Sequence, residues 1–378
     1  MKVLHVSSAE LYGGIESILV SLARYRAFCP DLEHHFALCF EGRLSDELRA
    51  LDAPLYMLGN VKLSRPLSVR RARRALCSAL GRSGCDVVIC HGPWSMINLA
   101  AAVRASGKPL AMWAHGIMAG RNWPRWLLGR TLPDLMICNS RYTQETLVAL
   151  FPSAESTVIY APLDMASAHN KDILRATVRK ELSTSADAIV IVQAGRMVPR
   201  KGQKLLIDAL SDLRANASWR CWIVGGVQSR SEKACFHELE SQVQKEGLTD
   251  RILFIGQRDD VPRLMAAADI FCQPNLRAES FGVVFIEAML AGLPVVTSAL
   301  GGAIEIVDRQ SGILVPANDR QAVTEALRNL LADPGLRQRL GADGPARARK
   351  LCEPAARMHE LRTALEMLDL RFQLASNE

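Results

Sequence analysis

Short apolar runs alternate with longer stretches whose apolar residues recur every three or four positions, and the alternation runs through the chain twice. In the first half, residues 2–6, 35–40, 55–58, 86–90, 110–114, 134–138 and 157–160 read as strands. In the second half the strand candidates are 188–193, 220–224, 251–255, 269–273, 295–298 and 313–315. Helical spacing lies between most of them, as over 15–28, 203–213 and 281–290, and 319–332 follows the last strand. Regular strand–helix alternation predicts parallel sheets covered on both faces. Two such halves predict an α/β chain of two doubly wound domains, with ligands at the C-terminal ends of the strands. The pattern breaks over 161–171, where Pro162, Asp164 and polar residues mark a linker. The division expected is therefore 1–165 and 166–357.

Composition fits this picture. The chain has 378 residues, 49% of them apolar and 22% charged, which is enough for two full cores. No apolar stretch approaches the ~20 residues of a membrane span, and no secretory leader is visible, so a cytoplasmic protein is expected. Ten cysteines are present, but Cys39, Cys90, Cys138, Cys221 and Cys272 fall in apolar strand-like runs. There a free thiol behaves as a small hydrophobe. No CxxC pair or zinc spacing accompanies them, and reduced core thiols are expected.

The net charge of +7 is concentrated in the first half, at Arg65, Arg70, Arg71, Arg73 and Arg74, then at Arg121, Arg125 and Arg130. Over 66–80, Val69, Ala72, Leu76 and Leu80 form one helical face, with the arginines around the other. A solvated surface helix has this pattern, and so does a helix meeting an anionic membrane or an acidic acceptor. Trp123, Trp126, Leu127 and Leu128 beside Arg121 and Arg125 add to the membrane-surface reading. No nucleic-acid reading motif accompanies the charge, so no nucleic-acid partner is expected.

The candidate chemistry lies mainly in the second half. Glu279 and Glu287 stand eight positions apart around Ser280-Phe281-Gly282-Val283 and an apolar helix. Gly282 at the helix start admits a ligand close to the backbone. The first-turn N–H groups and the helix dipole favour an anion such as phosphate. Glu279 lies at the mouth of the loop, positioned to meet a sugar. Glu287, about two turns in, is positioned to accept hydrogen bonds from ribose hydroxyls. Upstream, the apolar run 188–193 leads into Gly195-Arg196-Met197-Val198-Pro199-Arg200-Lys201-Gly202 and then a helix. Arg196 offers a planar fork of donors and Lys201 a point charge, a pair suited to a diphosphate. In the first half, Gly13-Gly14 follows the first strand and precedes a helix, again allowing an anion to approach. His115 and His91 each end a strand, where side chains enter an α/β crevice. His115 is the first candidate and His91 its rival.

Gly195-Arg196 with Lys201-Gly202, then Glu279 and Glu287 with Phe281-Gly282, then Ala288-Met289-Ala291-Gly292-Leu293-Pro294-Val295-Val296, together resemble glycosyltransferase family 4. The likeness continues through Gly301-Gly302 with Glu305 and Gly312 with Leu314-Val315. In the first half it is looser, resting on 2–6, Gly13-Gly14 and Asn139-Ser140. The resemblance implies the GT-B architecture, two Rossmann-like domains facing a central cleft. It also implies that the last helix, over 358–378, packs back on the N-terminal domain.

By the same likeness, a retaining transfer of sugar from a nucleotide-diphosphate donor to a hydroxyl acceptor is implied. UDP is the default base, with GDP and ADP open. The polysaccharide, lipid or metabolite that accepts the sugar is also open. The donor site would comprise Gly13, Gly14, Arg196, Lys201, Phe281, Gly282, Val283 and Glu287. Catalysis would fall to Glu279, His115, Arg196 and Lys201, with no metal and no cofactor. His115 is followed by Gly116 where the family commonly has Asp. A UDP-sugar 2-epimerase or phosphorylase of the same architecture, or a catalytically silent nucleotide-binding scaffold, are the alternatives.

Overall fold

The computed structural model describes residues 1–8, 10, 13–116, 131–163, 171–215 and 218–376. Packing divides the chain into two compact units, Met1–Leu163 with Cys352–Glu378, and Asp164–Leu351. The expected linker falls largely in 164–170, outside the described residues, as does the segment carrying Arg121, Arg125, Arg130, Trp123, Trp126, Leu127 and Leu128.

Unit 1 holds strands β1 Lys2–Ser7, β2 Glu33–Leu38, β3 Leu55–Met57, β4 Val87–His91, β5 Leu110–Ala114, β6 Leu135–Cys138 and β7 Ser156–Val158. They form one parallel sheet in the order β3-β2-β1-β4-β5-β6-β7. The central strands are apolar along nearly their whole length because a parallel sheet is buried on both faces. Side chains alternate between those faces. Leu4, Val6, Cys90 and Met112 enter a cluster with Leu76 and Leu99 from the helices Pro66–Ser83 and Gly92–Ala105. His5 and His91 belong to the opposite face. The terminal helix Pro354–Ser376 lies within this unit and buries Met358, Leu361, Leu365 and Leu368, spaced three and four apart along one helical stripe.

Unit 2 holds β8 Ile189–Ala194, β9 Trp219–Val224, β10 Ile252–Gly256, β11 Ile270–Gln273, β12 Val295–Ser298 and β13 Gly312–Val315. Its six strands are also parallel, in the order β10-β9-β8-β11-β12-β13. Asp269, just before β11, accepts from the backbone N–H of Val190 at 2.7 Å, from Arg179 at 2.7 Å and from Arg175 at 2.6 Å. These bonds tie the helix Lys171–Glu181 to two strands of the sheet.

Both sheets reverse strand order at one place, between β1 and β4 and between β8 and β11. Crevices outside the carboxyl ends of the strands at such a reversal are where doubly wound sheets bind ligands.

Several boundaries shift from the expected pattern. The helix expected over 15–28 is Gly14–Arg24, followed by a single 3₁₀ turn at Arg26–Phe28. The helix expected from Phe281 begins at Val283, because Gly282 takes a left-handed φ of 107° and caps it. Phe281 is buried at 1% exposure as a core side chain. All ten cysteines are free thiols, Cys77 alone being exposed. Burial pushes Cys90 up to about 12, so it remains a neutral thiol. Among the described residues, no helix is long and apolar enough to cross a membrane.

Candidate functional site

In unit 2, strand β8 delivers Gly195 and Arg196 to its carboxyl end, beside β11. The loop turns at Pro199–Lys201, one 3₁₀ turn, and leaves through Gly202 at φ 73°. A Cβ there would stand 1.9 Å from the carbonyl oxygen of Pro274, so no other residue fits. Buried glutamines lock the loop: Gln193 Nε2 donates to the Lys201 carbonyl at 2.8 Å and Gln203 Nε2 to that of Arg196 at 2.9 Å. The backbone from which Arg196 and Lys201 project is therefore fixed.

Both cations have carboxylate partners. Arg196 Nε donates to Glu232 Oε1 at 2.9 Å, and its Nη2 to the same oxygen. Glu232 is fully buried in the first turn of the helix Arg230–Lys245, and its other oxygen accepts from the Gln228 N–H at 2.7 Å. Lys201 Nζ donates to Glu279 Oε2 at 2.5 Å, and Arg200 Nη1 lies 3.4 Å from that oxygen. Burial lowers the Lys201 ammonium below its ordinary value, an effect Glu279 partly offsets. Burial alone would raise Glu279, but Lys201 and Arg200 outweigh it and hold the carboxyl below its usual range. Glu279 is thus a carboxylate at neutral pH.

The backbone around Glu279 is pinned as well. The Gly302 N–H donates to the Glu279 carbonyl at 2.8 Å, and a Cβ on Gly302 would meet the Ser280 carbonyl at 2.4 Å. The Gly282 cap of the helix Val283–Leu290 makes no side-chain hydrogen bond, and the Phe285 N–H of its first turn donates to the Gly282 carbonyl at 2.9 Å. Glu287 lies in the second turn, partly buried, and burial raises its carboxyl to about 7. Unit 2 thus joins Arg196, Lys201, Glu279 and the Gly282–Val283 helix start at the carboxyl end of β8 and β11. Glu287 follows on that helix.

The Gly13–Gly14 turn in unit 1 is of a different kind. Gly13 has extended φ, its N–H donates to Glu16 Oε2 at 2.7 Å, and Gly14 has no described atom within 4 Å of an added Cβ. The described chain therefore does not itself demand glycine at Gly14. The same loop is tied to the helix Gly92–Ala105, where the Ser8 N–H donates to Ser95 Oγ at 3.0 Å.

The two rival histidines are partners. His91 Nδ1 and His115 Nε2 are 2.8 Å apart, with their rings stacked at 11°. His91 Nε2 lies 2.9 Å from His5 Nδ1, and His5 Nε2 lies 2.8 Å from His34 Nδ1. Burial lowers all four imidazoles, His34 and His115 to about 3, so each is neutral.

Sequence patterning did not single out Glu232, His5 or His34. Glu232 had a legible signal, since Ser229-Arg230-Ser231-Glu232 has the spacing of a helix N-terminal capping box. Ser229 Oγ does accept from the Glu232 N–H, at 3.3 Å, but the carboxylate turns to Arg196.

Comparison with known proteins matches residues 175–347 to the family model described as Glycosyl transferases group 1. Residues 12–167 match the model described as Glycosyltransferase Family 4. The phosphatidyl-myo-inositol mannosyltransferase of Mycobacterium leprae is 40% identical over 156 residues, 40% of this chain and 39% of that protein. A GDP-mannose-dependent alpha-(1-6)-phosphatidylinositol monomannoside mannosyltransferase of Mycolicibacterium smegmatis is 30% identical over 261 residues, 64% of this chain and 66% of that one. The chain thus spans less than two thirds of the length of either relative. Among solved structures, Anabaena Alr3699/HepE in complex with UDP-glucose superposes with a TM-score of 0.84 at 23% identity, covering 97% of this chain and 100% of that one. That likeness establishes the GT-B fold. With family models matched in both units, the chain belongs to glycosyltransferase family 4.

Proposed function

We propose that the chain transfers a hexosyl group, with retention, from a nucleoside-diphosphate sugar to a hydroxyl acceptor. The observation that carries this reading is the Lys201–Glu279 contact beside Arg196, at the reversal of a doubly wound sheet. In it, unit 2 holds the donor and unit 1 provides the acceptor side. Arg196, Lys201 and the N–H groups at Gly282–Val283 take the charge that develops on the leaving diphosphate. Glu279 orients the sugar hydroxyls and stabilises positive charge at the anomeric carbon. Glu287 accepts from the ribose hydroxyls. The anomeric carbon–phosphate oxygen bond breaks with its electron pair on the phosphate. The acceptor oxygen attacks from the same face, and its proton passes to the leaving phosphate oxygen. No step requires a metal.

The names of the relatives favour GDP-mannose as donor and an inositol-bearing lipid as acceptor. A UDP-hexose is the second donor, supported by the fold neighbour's ligand. Exposed Arg65, Arg70, Arg71 and Arg74 near exposed Leu67 support contact with an anionic membrane at its cytoplasmic face. Arg73 is engaged differently, its Nε donating to the Asn98 carbonyl at 2.6 Å.

Thermal unfolding with GDP, UDP, ADP and dTDP tests the donor site, a ligand at 100 times its Kd adding about 2.7 kcal/mol. Transfer from GDP-mannose or UDP-glucose to phosphatidylinositol in vesicles, followed by mass spectrometry, tests the reaction. Absence of any nucleotide shift would sink this reading and favour a scaffold.

A further inference from the structure

Between Asp52 and Asp134 the chain carries twelve Lys and Arg and a single acid, Asp86, whereas the rest of it has a slight acidic excess. That stretch supplies two packed helices of unit 1, Pro66–Ser83 and Gly92–Ala105. A cavity of about 390 Å³ is lined by Arg70, Arg73, Arg74 and Cys77 of the first helix and by Ala101 and Ala102 of the second. Its volume lies within the range of small-molecule sites. Positions 70, 73, 74 and 77 form one helical stripe, beside the buried stripe of Val69, Ala72, Leu76 and Leu80. The facing wall carries only two methyl groups, which leaves the arginines room to close on an occupant.

The charge in this cavity is uncompensated. Elsewhere in unit 1, Arg43 pairs with Glu47, Arg49 with Asp46, and Arg104, on the second helix itself, with Asp134. Among the described residues, no carboxylate pairs with Arg70, Arg73 or Arg74. Arg73 is held nonetheless, its Nε donating to the Asn98 carbonyl at 2.6 Å and its Nη2 to the Ile97 carbonyl at 3.4 Å. Two neutral carbonyls fix the guanidinium without cancelling its charge, and they leave three of its five N–H groups to donate. Arg70 stands three positions before Arg73 and four before Arg74, the spacing at which like charges repel across a helix face. An anion seated among the three relieves that repulsion, and the guanidinium fork matches the oxygens of a phosphate.

We propose that Arg70, Arg73 and Arg74 form a phosphate-binding groove between the two helices, with Arg73 as its fixed donor and Arg70 and Arg74 closing from the exposed side. Diffuse attraction of a basic surface to a membrane draws on every exposed cation alike. The groove depends on Arg70 and Arg74 and not on Arg65 or Arg71 of the same segment. Phosphate binding there does not depend on the transferase reading.

Cys77 supplies the readout, because it lines the cavity and is the one exposed thiol of ten. Its alkylation by N-ethylmaleimide is followed by intact-protein mass spectrometry of the full chain. Inositol 1-phosphate at ten times its Kd leaves about one tenth of the grooves open and should slow alkylation about tenfold by mass action. Sodium chloride of equal ionic strength should not. Vesicles of phosphatidylcholine with and without phosphatidylinositol form the second arm. Protection by free inositol 1-phosphate identifies a soluble phosphate as occupant, and protection by phosphatidylinositol vesicles alone identifies a lipid headgroup. In either case Arg70→Gln with Arg74→Gln should abolish the protection at unchanged Tm. Arg65→Gln with Arg71→Gln, which removes the same charge outside the cavity, should keep it. Protection by neither probe, equal protection by sodium chloride, or equal loss in the two double variants overturns the proposal.

Discussion

Lys201 Nζ stands 2.5 Å from Glu279 Oε2, joining the basic loop after β8 to the acidic loop after β11 in one largely buried ion pair. Removing one partner of such a pair leaves the other charge uncompensated. Glu279→Ala should therefore destabilise the chain by about 3 kcal/mol, read as a lower urea midpoint. The sign with pH follows from Glu279 lying below its ordinary value. Its contribution is present above the unfolded carboxyl range and is lost as pH falls through the folded value. The mutant should lose less stability than the wild type on acidification, and an equal loss in both would show that the pair contributes nothing.

Glu287 behaves oppositely. Its carboxyl, raised to about 7, favours the fold most below the unfolded pKa, and that contribution fades as pH rises through 7. A nucleotide whose ribose donates to the carboxylate must expel the proton. Nucleotide affinity should then weaken by about tenfold per pH unit below pH 7, and Glu287→Gln should flatten the dependence. Calorimetric titration between pH 5.5 and 8 decides this.

Arg196 and Glu232 should separate in kinetics. Arg196→Ala removes a cation from the leaving group and should cost roughly 10²–10³ in kcat. Glu232→Gln leaves the cation but loosens its fork, and should cost about 10–100-fold. Equal losses would mean that Arg196 works only when held by Glu232.

Two glycine-to-alanine changes should give opposite outcomes. Gly302→Ala puts a methyl 2.4 Å from the Ser280 carbonyl oxygen and 2.8 Å from Phe281 Cα, so it should lower both Tm and activity. Gly14→Ala meets no described atom within 4 Å and should change the unfolding free energy by no more than about 1 kcal/mol. Its activity should nonetheless fall, because the methyl intrudes on the bound ligand. Full activity in Gly14→Ala would remove this loop from the site.

The sheets were legible because parallel strands are buried on both faces and appear as apolar runs; segments 110–114 and 295–298 match β5 and β12 residue for residue. The start of the helix at Val283 was less legible, since Phe281 is apolar enough to continue the pattern while the positive φ of Gly282 interrupts it. Local sequence also placed Arg196, Lys201, Glu279 and Glu287, because each lies on a loop or helix whose position follows from the strand before it. Their partners did not follow in the same way. Glu232 reaches Arg196 from 36 residues away, and Lys201 meets Glu279 across 78. The histidine row is the extreme case. Period-two alternation can put His5 on a face, but only the pairing register of four strands sets His34, His5, His91 and His115 ring to ring. Sequence fixes which way a side chain points from its own strand; the hydrogen-bonded register between distant strands decides what it meets.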